Sequence, residues 1–146
     1  GPFETYPDRK TGAKVGVYSE TTEEGYPPYL NPQDYGNKTD VRWAALTDQN
    51  GIGLLVSGLN ELVNVRAQQY DTENLSKARY TFQLEPMDAV TLAVDHQLTG
   101  VGGTPIATLK KYRTLPGDYG YTIRIRPFST GVISPMELSK QRLPRP

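Results

Sequence analysis

The fold prediction starts from one stretch, which reads Val90-Thr91-Leu92-Ala93-Val94, then Gly100-Val101-Gly102-Gly103, then Tyr121-Thr122-Ile123-Arg124-Ile125-Arg126. The first segment is mostly apolar, which is typical of a strand covered on both faces. The last segment alternates, so Tyr121, Ile123 and Ile125 are predicted to face one side and the polar residues the other. The glycine segment can adopt backbone conformations closed to other residues, and such a loop on a rigid sheet favours contact with a ligand or another domain.

Composition indicates a turn-rich sheet protein. The 146 residues include 14 Gly, 12 Pro and 10 Tyr, which is more typical of strands and turns than of a helical bundle. The 16 basic residues are balanced by 16 acidic ones, so no nucleic-acid partner is predicted. No apolar run approaches the ~20 residues that cross a bilayer, so no membrane partner is predicted either. The sequence has no cysteine, which rules out disulfides and thiol chemistry.

Further strand patterns alternate with turns along the chain. Strands are predicted over residues 13–19, 39–47, 53–57, 62–68 and 79–84, with one short helix over 71–78 and a long Pro-containing loop over 20–38. Gln49-Asn50-Gly51 predicts a hairpin, because Asn-Gly supplies the positive φ angles of a type I′ turn. The fold class is therefore predicted as all-β, an antiparallel β-sandwich. We place this domain at residues 1–128, followed at 129–146 by a C-terminal arm or tail in which 135–141 fits a helical turn or an extended arm.

Residue chemistry alone predicts no catalytic centre. His96 is the only histidine and follows a predicted buried strand, so we expect a structural hydrogen bond there. Glycoside hydrolysis needs two carboxyl groups about 5–9.5 Å apart across one bond, whereas Glu23 and Glu24 are neighbours in a polar loop. With one His and no Cys, and with carboxylates that are not spaced as a calcium loop, no metal site is predicted. No cofactor is expected.

Aromatic rings carry an alternative prediction, a stand-alone carbohydrate-binding module. Trp43, Tyr26 and Tyr29 present flat apolar rings that can stack on sugars. On half-buried strands, however, aromatic side chains belong more often to the core. Arg124 and Arg126 are predicted to lie on a solvated or interface face.

Five segments follow one another along the chain in a characteristic order. They are Glu4-Thr5-Tyr6-Pro7-Asp8-Arg9, Tyr29-Leu30-Asn31-Pro32-Gln33, Gly36-Asn37-Lys38-Thr39-Asp40-Val41-Arg42-Trp43, Val94-Asp95-His96 with the glycine segment, and Ile123-Arg124-Ile125-Arg126-Pro127. Together they resemble the C-terminal, small-chain β-sandwich domain of glycoside hydrolase family 2 β-galactosidases. The resemblance covers nearly the whole chain. It implies that the fold is the C-terminal half of a galactose-mutarotase-like supersandwich.

The resemblance also implies a division of labour within a parent enzyme. The catalytic glutamates of this family lie in a separate (β/α)₈ barrel, so no activity is expected of this chain alone, while the parent would be a retaining β-galactosidase-type hydrolase. The chain would pack on the barrel and lend a loop to the rim of the sugar pocket. The rim candidates are Gly102, Gly103, Thr104 and Ala107. Ala107 stands where the family places a tryptophan that stacks on the sugar, and Thr5 replaces an asparagine.

The implied partners follow from the same resemblance. They are the remaining domains of the parent glycosidase and a β-galactoside or related carbohydrate. Because half a sandwich leaves an unpaired edge or an apolar face, a homo-oligomer is also predicted, and an oligomerisation module is a further alternative. The resemblance points to the bacterial cytoplasm or periplasm.

Overall fold

The computed structural model describes residues 2–103 and 106–142. In this part of the chain there are six strands: β1 (Lys38–Val41), β2 (Ala44–Thr47), β3 (Ile52–Gly58), β4 (Val63–Gln68), β5 (Thr91–Asp95) and β6 (Ile123–Ser129). They form two three-stranded sheets with the strand orders β1-β4-β5 and β2-β3-β6. The pairs β2–β3, β3–β6 and β4–β5 are antiparallel. The predicted all-β, antiparallel fold class is confirmed.

Across residues 2–103 and 106–142, helical structure is confined to short segments. The α-helices are α1 (Thr72–Lys77) and α2 (Pro135–Lys140), and 3₁₀ turns cover Thr81–Gln83 and Lys110–Tyr112. The predicted helix over 71–78 is confirmed as α1, and Asp71 caps it by accepting a hydrogen bond from the Asn74 N–H at 2.6 Å. The segment that fitted a helical turn or an extended arm forms the second helix, α2. No helix in the described residues is long and apolar enough to cross a membrane.

The chain separates into two compact units. The first unit comprises residues up to 39 together with 64–116, and the second unit comprises 40–63 together with residues from 117 onward. Each unit contains buried apolar side chains, including Tyr35, Val65 and Leu75 in the first and Leu55, Val56, Phe128 and Leu138 in the second. The division between a sandwich at 1–128 and an arm at 129–146 stays a prediction about the whole protein.

The core of the second unit lies between the β2-β3-β6 sheet and α2. Its members are Leu55, Phe128 and Leu138, against which the partly buried Trp43 and Ile133 pack. α2 begins with a capping box, in which the side chains of Ser134 and Glu137 accept hydrogen bonds from each other's backbone N–H, both at 3.2 Å. This cap starts the helix in the register that places Leu138 against the sheet.

Two predicted strands are wrong. Residues 13–19 form no strand, and Val15 and Val17 are exposed although they alternate with polar residues. Residues 79–84 contain a 3₁₀ turn instead of a strand, because the Gln83 side-chain oxygen accepts hydrogen bonds from the N–H groups of Arg79 and Tyr80 at 2.8 and 3.1 Å. A side chain that satisfies two consecutive N–H groups competes with sheet pairing.

The predicted strand over 39–47 is divided between the two sheets. β1 ends at Val41 and β2 begins at Ala44, and Asp40 has a left-handed φ of 59°. The hairpin between β2 and β3 is confirmed, but its type I′ turn is wrong, because that type needs two positive φ angles and only Gly51, at 75°, has one there. Instead, Asp48 Oδ1 accepts hydrogen bonds from the N–H groups of Asn50 and Ile52 at 2.9 and 2.8 Å.

The predicted alternation of β6 is present, and the face that carries the arginines is the more buried one. Ile123 and Ile125 are exposed, whereas Arg124 and Arg126 are half-buried. The cause lies in the segment after α2, since the two Nη1 atoms donate to the backbone carbonyl and the side-chain oxygen of Gln141 at 2.6 and 2.7 Å. The two arginines, predicted to lie on a solvated or interface face, are partly exposed and contact the segment that follows α2. The strand β5 is confirmed, although it is half-buried rather than covered on both faces.

Candidate functional site

The glycine segment forms a compact loop in the first unit. Gly102 has a left-handed φ of 66°, and the Gly103 N–H donates to the Ile106 carbonyl at 2.9 Å. At its base, the Gly100 N–H donates to the Tyr112 carbonyl at 2.7 Å, and the Thr108 hydroxyl donates to the Gly100 carbonyl at 2.8 Å. The loop is therefore held by backbone hydrogen bonds at both its tip and its base.

The structure brings three of the four rim candidates into this loop. Gly102, Gly103 and Ala107 are all exposed, and Ala107 follows the residue whose carbonyl accepts from Gly103. The fourth candidate, Thr104, lies outside the described residues. Their contact with a sugar stays a prediction.

Asp8 holds the loop from the N-terminal motif, which we define as Glu4–Arg9. Its Oδ1 accepts a hydrogen bond from the Val101 N–H at 3.0 Å, and its Oδ2 accepts one from the Gly102 N–H at 2.8 Å. Consecutive N–H groups around a left-handed residue form a concave site for an anion. In this structure the chain's own carboxylate, that of Asp8, occupies the concave site.

The rest of the N-terminal motif connects segments within the first unit. Glu4 Oε2 accepts hydrogen bonds from the Gly36 N–H at 3.0 Å and from the Tyr6 hydroxyl at 3.4 Å, and its Oε1 accepts one from the Tyr29 hydroxyl. Thr5 is buried, and its hydroxyl accepts a hydrogen bond from the Thr39 N–H at 2.8 Å. Glu4, Thr5 and Asp8 of the motif therefore each have a hydrogen-bond partner distant in sequence.

The three candidate stacking rings all make contacts inside the chain. Tyr26 packs edge-on against Tyr35 and Tyr70, with ring centroids 4.9 and 5.5 Å apart. Trp43 packs against the core of the second unit, and the hydroxyl of Tyr29 is bound to Glu4. Stacking of these rings on a sugar stays a prediction.

Sequence reasoning missed a charged cluster on β4 and its neighbours. Arg66 lies 3.2 Å from Asp34 and 3.8 Å from Asp95, and Gln68 donates to Asp34 at 2.8 Å. Asn64 donates to the carbonyl of Asp95 at 3.4 Å. The only sequence signal was a polar alternation on a strand, which does not identify partners. Among residues 2–103 and 106–142, no group of three or more acidic or histidine side chains is arranged to hold a metal ion.

Tyr6 should make the stability of the protein sensitive to alkaline pH. Burial, followed by the nearby Glu4 and Asp34 carboxylates, raises the pKa of its hydroxyl. The folded chain therefore keeps this proton to a higher pH than the unfolded chain. The stability that results is fully present below the ordinary tyrosine pKa of about 10 and is lost as pH rises above it, by at most about 1.4 kcal/mol per pH unit.

Tyr6→Phe should reduce that loss. Urea unfolding at pH 8, 10 and 11 measures the free energy of unfolding, and we expect its decline to be shallower for Tyr6→Phe than for the unaltered chain. Tyr18→Phe serves as the control, because Tyr18 is exposed. Equal declines for the two variants would contradict the role of Tyr6.

Comparison with known proteins identifies the family. A family model described as β-galactosidase small chain matches residues 1–125. The chain is 44% identical over 103 residues to a β-galactosidase of Priestia megaterium, covering 70% of this chain and 10% of the relative. It is 34% identical over 128 residues to a β-galactosidase of Pseudoalteromonas haloplanktis, covering 86% of this chain and 12% of that relative. The chain spans about a tenth of the length of these relatives. The chain therefore belongs to the β-galactosidase small-chain family.

Proposed function

We propose that this chain is the non-catalytic C-terminal β-sandwich segment of a β-galactosidase-type family 2 glycoside hydrolase. It packs on the remaining domains of the parent enzyme and lends the 100–107 loop to the rim of the sugar pocket. The parent hydrolyses a β-galactoside with retention, and its reacting carboxyl groups lie outside this chain. The observation that carries the proposal is the family match over residues 1–125, together with relatives in which the matched part is only 10–12% of the length.

An apolar sheet surface supports the packing role. We call it the open face, and it consists of Ile52, Leu54, Ile123, Ile125 and Pro127, which lie on the side of the β2-β3-β6 sheet opposite to α2. Ile52 is 61% exposed and Ile125 is 54% exposed. Contiguous exposed apolar groups mark surfaces that bind other proteins. The remaining domains of the parent are the partner that buries them.

Complementation tests the function as a whole. A Priestia megaterium β-galactosidase that lacks the segment matching this chain is mixed with the 146-residue chain, and hydrolysis of a nitrophenyl β-galactoside is measured. We expect activity only when both are present. Hydrolysis by the chain alone would reject the non-catalytic role, and failure of the mixture to associate or to hydrolyse would reject the packing role.

The open face should also cause the isolated chain to self-associate. Ile125→Asp places a charge on the exposed apolar surface, and the desolvation of that charge would oppose contact between two copies. We expect light scattering to show a mass near the 16.2 kDa monomer for Ile125→Asp and a higher, concentration-dependent mass for the unaltered chain. Val132→Asp is the matched control, because Val132 is 87% exposed but lies in a turn outside the sheet. A monomeric unaltered chain would contradict the prediction.

A further inference from the structure

The backbone of the glycine loop and the carboxylate of Asp8 are complementary in shape and hydrogen bonding. The two carboxyl oxygens of Asp8 accept separate hydrogen bonds from consecutive N–H groups, across a sequence separation of 93 and 94 residues. A Cβ added to Gly100 would lie closer than 3.0 Å to the carboxyl carbon and both oxygens of Asp8. The absence of a side chain at Gly100 therefore lets the Asp8 carboxylate approach the backbone of the loop. Gly103 contrasts with it, since an added Cβ there would meet no heavy atom within 4 Å.

We infer that Asp8 is a positioning residue that fixes the loop carrying the predicted sugar rim. When Asp8 is removed, the base of the loop keeps its hydrogen bonds to Tyr112 and Thr108. The loss of hydrogen bonds is therefore confined to residues near Val101 and Gly102. Asparagine cannot replace the carboxylate fully, because its amide offers one acceptor oxygen and a donor that repels the second N–H. The effect of Asp8 on sugar binding rests on the proposed function, whereas its effect on the loop does not.

The first test is spectroscopic and needs no sugar. In NMR spectra of the full chain, Asp8→Asn should increase amide exchange at Val101 and Gly102 about tenfold, because each N–H loses its carboxylate partner. Thr39, whose N–H is held by Thr5, should be unaffected. Unchanged amide exchange at Val101 and Gly102 would overturn the inference.

A double-mutant cycle provides the second test. Gly100→Ala should lower the urea midpoint of unfolding, measured by circular dichroism, because its Cβ collides with Asp8. In an Asp8→Ala background, Gly100→Ala should lower the midpoint by less than about half of the decrease that it causes in the unaltered chain. Gly103→Ala is the matched control and should leave the midpoint nearly unchanged in both backgrounds. Additive effects of Gly100→Ala and Asp8→Ala would overturn the inference.

The complemented enzyme separates this inference from the proposed function. Asp8→Ala should raise KM for the nitrophenyl galactoside about fivefold or more and leave kcat within about twofold, since a rim contact that binds ground and transition states alike acts on KM. If KM is unchanged although the loop is loosened, Asp8 remains the positioning residue of the loop. Its predicted effect on sugar binding is then overturned. Failure of the unaltered chain to complement would reject the proposed function, while the two tests on the chain alone still decide the role of Asp8.

Discussion

Gly53→Ala is expected to lower the free energy of unfolding by about 3 kcal/mol or more, at the upper end of the cost of overpacking. Gly53 lies in β3, opposite Thr47 of β2. A Cβ built on it would lie closer than 3.0 Å to the carbonyl group of Leu46 and to the Cα of Thr47. These are backbone atoms of the paired strand, so they cannot rotate away. The two strands would have to separate to accommodate one methyl group.

Urea unfolding followed by the fluorescence of Trp43 measures this loss, because the ring packs against the core of the same unit. Gly120→Ala is the matched control in the second unit, since an added Cβ there meets no heavy atom within 4 Å. We expect that variant to change stability by less than about 0.5 kcal/mol. Similar losses for the two variants would show that the close approach of β2 to Gly53 does not matter.

Local signals account for the elements that the sequence predicted well. α1 has its cap at Asp71, and β4 and the β2–β3 hairpin have apolar or alternating residues flanked by turn residues. In α1 and the hairpin the deciding interactions join residues that are close in sequence, whereas β4 pairs with the distant strand β5. The same local information was misleading at Val15 and Val17, because an alternating pattern does not specify whether a pairing strand exists.

A contact from outside the strand decided which face of β6 is covered. β6 alternates as expected, but Arg124 and Arg126 are turned inward by Gln141, which follows α2. A two-residue period specifies that two faces differ and does not specify which one is covered. The exposure of Ile125 on the open face could therefore not be read from the strand itself.

The candidate site shows the same limit. The glycine segment was recognisable, because three glycines in four residues are uncommon outside special backbone conformations. The role of Asp8 was not, because its partners Val101 and Gly102 lie more than ninety positions away. The family resemblance identified both segments without specifying that one holds the other.

Leu138→Ala is expected to lower the free energy of unfolding of the second unit by about 2–5 kcal/mol, as for other buried leucines. Leu138 is 2% exposed and packs with Leu55 and Phe128. α2 has six residues, and a helix this short is unstable in isolation, so its packing through Leu138 is what keeps it formed. When α2 is released, Arg124 and Arg126 also lose their hydrogen bonds to Gln141.

Met136→Ala is the matched control for this prediction, because Met136 lies on the same helix and is 37% exposed. It removes a side chain of similar size with little loss of buried contact, so we expect a cost below about 1 kcal/mol. Urea unfolding monitored by Trp43 fluorescence compares the two variants. Equal small losses would mean that α2 contributes little to the second unit and that residues from 129 onward behave as an arm. A large loss for Leu138→Ala alone makes α2 an integral part of that unit.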